Sequence, residues 1–466
     1  METVTLKRTT TGSMALSPGT WDITVKAYLP GGTVLVGTGS PNPLAVKVVA
    51  GQNTTAAFTV VFENTKLETL TVGTYGLSPT FDPDTATYTV VGVADMNGVP
   101  VTATPQVAGA ELSYTYTPAG GSSIPITDGI LTGACTIPGA IEIDVKGSSG
   151  YTTRYTVTAS TVYVTGGYDD NGTNVAYYWI DGVKTDLASG GGDTFARAIT
   201  VSGGSVYVAG DYDNGIQQTA CYWKDGTKTD LTSGGGHAFA TGITVSGGSV
   251  YVSGNYNNGS TGVACYWKDD GTITKTDLTT GEGHARAITV SGGSVYVAGD
   301  YENNGTGVAC YWIDDGTITK TDLTSGGGNA NAITVSGGSV YVAGNYDNGS
   351  TYVACYWKGG TKTDLTTGMG NASGITVSGG SVYVAGQYDN SGTGVACYWK
   401  DDGTITKTDL TSGGGNATAI TVSGGSVYVA GVYENNGTGV ACYWIDGTRT
   451  DLISGSAAWA SGIFVE

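Results

Sequence analysis

The sequence predicts an all-β protein with a seven-bladed β-propeller at residues 161–466, closed by the C-terminal strand, and two preceding β-sandwich domains at 1–64 and 65–160. Three observations support this prediction. Phrases close to SGGSVYVAG recur along the chain, the repeats that carry them are spaced 42 to 45 residues apart, and each full repeat contains four strand-like runs. A period of about 40–45 residues with four strands is typical of propeller blades.

Residues 1–64 contain strand-like runs separated by glycine and proline turns. The runs are WDITVKAY, TVLVG and TAAFTVVF. Apolar and polar residues alternate in such runs, as in strands with one buried face, so we expect a small β-sandwich. The segment resembles the short immunoglobulin-like modules of bacterial secreted proteins and lipoproteins.

Residues 65–160 carry LETLTVGTYGLSPTFDPDTATYTVVG from Leu67 onward and close with TTRYTVTAS. The alternation predicts that Phe81 and Tyr88 lie in a core and that DPDT forms a turn. The segment resembles the cadherin-like β-sandwich domain of bacterial surface proteins. That resemblance implies an extracellular or cell-surface location and no catalytic residues. The residues that carry it are Leu67, Leu70, Leu77, Pro79, Phe81, Pro83, Tyr88 and Tyr155.

The repeats become clear when the Val-Tyr-Val triplets are aligned. The triplets begin at Val162, Val206, Val250, Val295, Val340, Val382 and Val427. In the second repeat, the predicted strands a to d are ARAITV (196–201), SVYVAGDY (205–212), TACYWKD (219–225) and TKTDLTS (227–233). Asp-Gly and Gly-Gly pairs favour the tight turns between them. This order resembles NHL-type and related propeller repeats, and the resemblance concerns architecture alone.

The two ends of the array predict how the ring closes. The first repeat starts at its strand b, TVYVTGG, and the chain finishes with ASGIFVE, which has the pattern of a strand a. We therefore expect the C-terminal strand to complete blade 1 and remove the open sheet edges. The sandwiches would then attach at the a–b face, and the d–a and b–c loops would lie on the opposite, free face.

The charge balance argues against two classes of partner. Lys and Arg total 20 against 39 Asp and Glu, a net charge of −19, so nucleic-acid binding and attraction to anionic lipid are not expected. No run of about 18 apolar residues is present, so we expect no membrane insertion. The opening METVTLKRTT lacks the apolar region of a signal peptide, so the expected location rests on the resemblances above.

Six of the seven cysteines occupy one repeat position, in the triplet Cys-Tyr-Trp. Equivalent positions in packed neighbouring sheets lie about 10 Å apart, too far for a disulfide. We expect buried free thiols, with cysteine and tryptophan on one face of the blade and tyrosine on the other. A zinc site is not expected, because CxxC is absent and only two histidines occur. The cysteines are Cys135, Cys221, Cys265, Cys310, Cys355, Cys397 and Cys442.

The d–a loops differ most among the repeats. Three are two residues longer and bring in Phe195, Phe239 and Trp459, which ring closure assigns to three consecutive blades. We predict a ligand-binding patch around these aromatic residues, or alternatively a set of aromatic plugs at the channel mouth. The polar residues assigned to the same patch are Asp193, Arg197, His237, His284 and Arg286.

The b–c loops carry a ring of tyrosines beside acids and amides. Tyr168 and Tyr212 of this ring are candidate sugar-binding residues, although Asn-Gly and Asp-Gly are also simply good turn formers. The stretch Asp211–Gly215 is similar to part of a calcium loop but lacks the bidentate glutamate. We therefore expect no cofactor, with calcium as an open alternative.

These observations favour a secreted or cell-surface, non-catalytic binding or adhesion protein that binds glycan or a surface protein through the d–a/b–c face. One alternative is an extracellular polysaccharide-degrading enzyme that uses Asp193 with Asp211 or Asp213, although no catalytic motif marks them. Another is a structural subunit of a surface layer or fibre. The oligomeric state is left open.

Overall fold

The computed structural model is built from strands and turns, and no helix occurs in the part of the chain that it describes. The pairing of these strands into consecutive sheets arranged around a ring confirms the predicted all-β propeller class. Within the same part, no helix has the length and apolar character needed to cross a bilayer. Before residue 65 only the backbones of five strands are described; beyond it the description omits 92–95, 97, 119–120, 127–128, 132–138, 148–151, 188–191, 233–234, 260 and 454–456.

The first segment forms two small antiparallel sheets. In one, β1 pairs with β4; in the other, β3 lies between β2 and β5. The five strands are β1 (Gly19–Ile23), β2 (Lys26–Tyr28), β3 (Leu35–Ser40), β4 (Leu44–Val48) and β5 (Thr59–Phe62).

The second segment also has two sheets. A two-stranded sheet pairs β6 with β8, and a five-stranded sheet has the order β10-β9-β11-β12-β7, with β7 parallel to β12. The strands are β6 (Leu67–Val72), β7 (Thr87–Val91), β8 (Val101–Pro105), β9 (Glu111–Pro118), β10 (Ile124–Pro125), β11 (Gly139–Lys146) and β12 (Thr152–Ser160). Leu67, Tyr88 and Tyr155 lie in the core that they enclose, and Phe81 packs against it.

The predicted turn at DPDT is held by two buried tyrosines. The Tyr88 hydroxyl donates to the carbonyls of Asp82 and Thr85, and the Tyr155 hydroxyl donates to the carbonyl of Pro83, 2.9 Å away. The Asp84 amide donates to the Asp82 side chain at 2.8 Å, which closes the turn on itself.

The third segment supplies the propeller strands. The first half contains β13 (Val162–Asp170), β14 (Thr173–Ile180), β15 (Val183–Asp186), β16 (Thr194–Ser202), β17 (Ser205–Asp213), β18 (Gln218–Lys224), β19 (Thr227–Asp230), β20 (Ala238–Ser246), β21 (Ser249–Asn258), β22 (Thr261–Asp269), β23 (Ile273–Ser291), β24 (Ser294–Asn303), β25 (Thr306–Asp314) and β26 (Ile318–Asp322). The second contains β27 (Gly328–Ser336), β28 (Ser339–Asp347), β29 (Tyr352–Lys358), β30 (Thr361–Ser378), β31 (Ser381–Asn390), β32 (Thr393–Asp401), β33 (Ile405–Asp409), β34 (Gly415–Ser423), β35 (Ser426–Asn435), β36 (Thr438–Ile445), β37 (Thr448–Asp451) and β38 (Ala458–Val465).

Strand pairing groups these strands into blades. Blade 1 has the order β15-β14-β13-β38, so the C-terminal strand is its strand a, and blade 2 is β16 to β19. The long strand β23 serves as strand d of blade 3 and strand a of blade 4, and β30 joins blades 5 and 6 in the same way. Blade 7 is β34 to β37. The seven strands a contact one another in a closed circle, in which β38 touches both β34 and β16.

The Cys-Tyr-Trp triplets form the core between blades. In blade 2, Cys221 and Trp223 pack against blade 1, whereas Tyr222 packs against blade 3. This is the predicted alternation of faces. The six tryptophans of the triplets are at most 2 % exposed. All six repeat cysteines are buried and free, as predicted, while Cys135 lies outside the described residues.

The predicted tight turns have the required backbone conformation. Asp225 and Gly226, which connect strands c and d of blade 2, have φ values of 49° and 80°. Gly203 and Gly204, which connect strands a and b, have φ values of 58° and 77°. Two consecutive positive φ angles suit a two-residue hairpin, because their twist matches that of the flanking strands.

The second segment contacts the propeller on the a–b side of blade 7. The Thr89 hydroxyl lies 3.2 Å from that of Ser426, and a Cβ atom added to Gly424 would lie 3.3 Å from Thr89 and Thr158 side-chain atoms. Ser78 donates a hydrogen bond to Asp446 at 3.1 Å. These contacts lie at a–b and c–d hairpins, and the d–a and b–c connections lie at the opposite ends of the strands.

Candidate functional site

The candidate site is the mouth of the propeller, where each strand a begins beside the end of strand b. One strand-a residue per blade pairs there with one strand-b residue. In blades 1 to 7 the strand-a residues are Trp459, Phe195, Phe239, His284, Asn329, Asn371 and Asn416. Their partners are Gly167, Asp211, Asn255, Asp300, Asn345, Gln387 and Val432.

The three aromatic residues are strand residues, which corrects their predicted placement in loops. Phe195, Phe239 and Trp459 are each the second residue of a strand a, because the β ladder begins two residues earlier than ARAITV. Their additional loop residues precede them and are only partly described.

On strand a of each blade, a β-bulge lies two residues after the mouth position. In blade 2 the register shifts between Ala196 and Ala198, which takes Arg197 out of the ladder. In blades 3, 5 and 7 the bulged residue, Thr241, Asn331 or Thr418, donates to a strand-a carbonyl of the next blade. The bulge thus redirects one side chain per blade, a common use of bulges near binding sites.

Aromatic residues occupy the part of the mouth formed by blades 1 to 3. The rings of Phe195 and Trp459 are stacked with centroids 6.5 Å apart, and both side chains are half-buried. The Arg197 guanidinium carbon lies 5.6 Å from the Phe195 ring centroid. Phe239 stacks on exposed His237, with centroids 6.4 Å apart and planes only 9° apart. The structure therefore brings together Phe195 with Trp459, and Phe239 with His237.

Asp211 pairs with Phe195 across strands a and b of blade 2. Its Oδ1 is 2.7 Å from Arg197 Nε, and its side chain is 1 % exposed. No hydrogen-bond partner of Asp211 Oδ2 is found among the described residues, and the same holds for buried Asn416 Oδ1 in blade 7. Burial raises the pKa of the Asp211 carboxyl, and the pairing with Arg197 offsets only part of that increase. Two oxygens without donors therefore lie in this part of the mouth: Asp211 Oδ2 in blade 2, the blade of Phe195, and Asn416 Oδ1 in blade 7, which adjoins blade 1.

In blade 4 the equivalent carboxylate, Asp300, has two partners, a histidine and an arginine. His284 stands where blade 2 has Phe195, and its Nδ1 lies 3.0 Å from Asp300 Oδ2. Arg286 Nε donates to Asp300 Oδ1 at 2.7 Å. Burial acts to raise the Asp300 pKa, but the hydrogen bonds and charges of His284 and Arg286 outweigh it and hold the pKa below its ordinary value.

Side-chain amides connect this ion pair to blades 5 and 6. Arg286 donates to Asn329 Oδ1 at 3.1 Å, Asn329 donates to Asn345 Oδ1 at 3.1 Å, and Asn345 donates to Asn371 Oδ1 at 2.7 Å. Asn331 also donates to Asn371 Oδ1, at 2.9 Å. Hydrogen bonds in such a chain polarise one another.

The direction of this amide chain is fixed at both ends. Arg286 can only donate, so Asn329 must turn its oxygen toward it and its NH2 group toward Asn345. At the other end, Asn331 donates to the Ala372 carbonyl, which can only accept. The orientations of the Asn329, Asn345 and Asn371 amides follow, because each amide oxygen must face the N–H group that donates to it.

Two predicted site residues, Asp193 and His237, hold the loops beside the mouth. Asp193 Oδ1 accepts from the Asn174 backbone amide at 2.7 Å, and His237 Nδ1 accepts from the Gln218 backbone amide at 3.1 Å. They occupy equivalent positions, two residues before Phe195 and Phe239. Each therefore ties the start of its strand a to strand c of the preceding blade.

Tyr168 and Tyr212 each contact strand d of their own blade. Each donates its hydroxyl to an aspartate of strand d in its own blade, Asp186 at 3.3 Å and Asp230 at 3.2 Å. A lysine ammonium lies over each ring, Lys184 at 4.1 Å and Lys228 at 3.2 Å from the centroid. The same arrangement recurs in all seven blades, with Arg449 replacing lysine in blade 7. These tyrosines connect strand b to strand d.

The loop considered for calcium closes on its own backbone. Asp213 Oδ1 accepts from the Gly215 amide at 2.8 Å, and Asn214 Oδ1 accepts from Ile216 and Gln217. Within the described ranges, no group of three or more His, Cys, Asp or Glu side chains is arranged to hold a metal ion.

Sequence reasoning missed the amides of blades 5 and 6. Asn329, Asn345 and Asn371 come from repeats that look interchangeable, and amides are common in turns. The available signal was the variation at one aligned position, where tryptophan, phenylalanine, histidine and asparagine replace one another in otherwise similar repeats.

No family model matches the sequence, and no curated protein matches it. Among solved structures, Trypanosoma rangeli sialidase in complex with sialic acid shares 11% identity with a TM-score of 0.39, over 62% of this chain and 57% of that one. TolB from Acinetobacter baumannii shares 12% identity with a TM-score of 0.41, over 59% of this chain and 77% of that one. The chain thus spans just over half the length of the sialidase.

Proposed function

We propose that this chain is a secreted or cell-surface, non-catalytic binding protein whose propeller binds glycan through the mouth described above. The observation that carries the proposal is the half-buried stack of Phe195 on Trp459, together with Asp211 Oδ2 in blade 2 and Asn416 Oδ1 in blade 7, which lack donors among the described residues. Aromatic faces bind the C–H faces of sugar rings, and sugar hydroxyls are donors that Asp211 and Asn416 could accept after a small side-chain rotation.

The surroundings support this role. The immunoglobulin-like and cadherin-like segments that we infer before the propeller are typical of bacterial surface proteins. The second of them contacts the a–b side of blade 7, so it leaves the mouth accessible. Loops and strand ends on a rigid scaffold are frequent binding sites.

The test is a glycan array probed with the wild-type chain and with Trp459→Asn/Phe195→Asn. Asparagine already occupies the equivalent position in blades 5 to 7, so the double variant is expected to fold. We expect the double variant to bind glycan at least about tenfold more weakly than the wild type, because such aromatic anchors dominate many interfaces. Val183→Thr is the matched control: Val183 is 67 % exposed on the opposite face, where blade 2 has Thr227. Unchanged binding by the double variant would refute the proposal.

A second candidate function is hydrolysis of an extracellular polysaccharide. It is favoured by the buried Asp211 carboxyl at the mouth, whose pKa burial raises, as is usual for the general acid of a glycoside hydrolase. Release of reducing ends from polysaccharides, abolished by Asp211→Asn, would support hydrolysis. Binding without product release would support the non-catalytic role.

A further inference from the structure

Two unusual side chains meet at one cleft on the mouth side of blades 5 and 6. Tyr352 stands where four other blades have glycine, namely Gly262, Gly307, Gly394 and Gly439. Met369 stands where blades 5 and 7 have Gly327 and Gly414. Tyr352 is 45 % exposed and Met369 is 59 % exposed. In an array of near-identical repeats, two large exposed side chains at one cleft need an explanation beyond packing.

The cleft has a volume of about 380 Å³. Tyr352 and Met369 line its outer part, and Asn329, Asn345, Asn371 and Gln387 line its inner part. Asn345 is only 8 % exposed, far less than Tyr352 or Met369, so it lies deeper in the cleft than they do. Its size is at the lower end of the range for small-molecule sites, so it suits one or two sugar residues rather than a peptide.

The inner part offers oriented hydrogen-bond groups. Asn345 donates one N–H to Asn371 in the amide chain, and Asn371 donates one N–H to Ser373 Oγ at 3.0 Å, whereas each NH2 group has two. Gln387 makes no side-chain hydrogen bond to any described residue. A Cβ atom added to Gly394 would lie 3.3 Å from its Oε1, so glycine at that position leaves room for the amide. Donors and acceptors of neutral amides suit hydroxyl groups.

The charges select against acidic ligands. No lysine or arginine is among the described residues that line the cleft, whereas exposed Asp389 stands at its edge. The whole chain carries a net charge of −19. A carboxylate, sulfate or phosphate would therefore be repelled without a compensating cation.

We propose that the cleft between blades 5 and 6 binds a neutral pyranose ring. The sugar hydroxyls bond to Asn345, Asn371 and Gln387, and the apolar ring face lies against Tyr352, with Met369 at its edge. This site is separate from the Trp459–Phe195 pair of blades 1 and 2, and its residues are a different set.

The test uses saturation-transfer difference NMR with methyl glycosides of glucose, galactose, mannose and N-acetylglucosamine, and with methyl glucuronide. The variants are Tyr352→Gly/Met369→Gly, which restores residues used in other blades, and Tyr352→Phe, which keeps the ring. We expect saturation transfer to at least one neutral glycoside in the wild type and in Tyr352→Phe. We expect it to fall about tenfold in the double variant, with weaker transfer to the glucuronide throughout.

Three results would overturn the proposal: no transfer to any neutral glycoside, equal transfer in the double variant, or preferential transfer to the glucuronide. An unchanged melting temperature of the double variant separates lost binding from lost folding. The two sites are distinguishable, because Trp459→Asn/Phe195→Asn leaves the cleft intact. If that variant loses glycan binding while the cleft variant does not, the cleft proposal fails and the proposed function stands.

Discussion

Gly167 and Trp459 pair across strands β13 and β38, and the indole lies so close to the glycine that a Cβ atom there would be 2.4 Å from Trp459 Cζ2. Five of the other six blades carry aspartate, asparagine or glutamine at the Gly167 position, and blade 7 carries Val432. The glycine therefore makes the space in which the tryptophan stacks on Phe195. In blade 1, glycine in strand b and tryptophan in strand a together make the stack on Phe195 possible.

The first prediction concerns this pair. Gly167→Ala should displace the indole and lower the free energy of unfolding by about 1–3 kcal/mol, the usual cost of overpacking. It should also weaken glycan binding, because the Phe195 stack is lost. Equilibrium denaturation and the glycan array measure both effects. The control is Gly307→Ala, where an added Cβ meets no atom within 4 Å, and a comparable loss in this control would contradict the steric explanation.

The second prediction concerns contacts between blades. Tyr222, Tyr266 and Tyr356 each donate to an aspartate of the next blade, at 2.7, 2.6 and 2.6 Å. The acceptors, Asp269, Asp314 and Asp401, belong to the three longer DDGTIT hairpins. Tyr266→Phe should lower the free energy of unfolding by about 1 kcal/mol. Tyr311→Phe is the matched control, because the next blade has Lys358-Gly359 at the corresponding hairpin. Equal losses from both substitutions, measured by denaturation, would exclude this role for the longer hairpins.

The third prediction concerns alkaline pH. Burial, followed by the hydrogen bond to the aspartate, raises the pKa of Tyr222, Tyr266 and Tyr356 to about 12. An unfolded tyrosine has a pKa of about 10, so the folded state holds more protons between these values. Stability should therefore be complete below about pH 10 and fall as the pH rises toward 12. A variant with all three tyrosines changed to phenylalanine should show a shallower decline in denaturation midpoint, whereas an identical decline would assign the pH dependence to other groups.

The fourth prediction concerns the repeat thiols. Burial raises the pKa of all six well above the ordinary value, and only the thiolate reacts readily with alkylating agents. Iodoacetamide at neutral pH should therefore modify Cys221, Cys265, Cys310, Cys355, Cys397 and Cys442 only after denaturation. Peptide mass spectrometry checks each site. Rapid labelling of any of the six in the native protein would show that the blade interfaces open.

The fold was largely predictable because its information is local and repeated. The period, the Asp-Gly turn at Asp225 and the alternation of Cys221, Tyr222 and Trp223 each depend on residues close in sequence. Ring closure was also predictable from the sequence. The first repeat lacks a strand a, and the C-terminal segment has the pattern of one. The structure pairs β38 with β13 accordingly.

The sequence by itself determined the strands, their turns, the buried faces of the blades and the aromatic residues that replace asparagine near the mouth. Only the tertiary structure decided how these side chains are used. It places Tyr168 and Tyr212 against strand-d aspartates, joins Asn329 to Asn371 across blades, and brings Tyr352 and Met369 to one cleft. The physical reason is that these contacts depend on the angle and spacing between neighbouring blades. Packing between the side chains of adjacent blades sets that angle and spacing, so the sequence of a single repeat does not encode them.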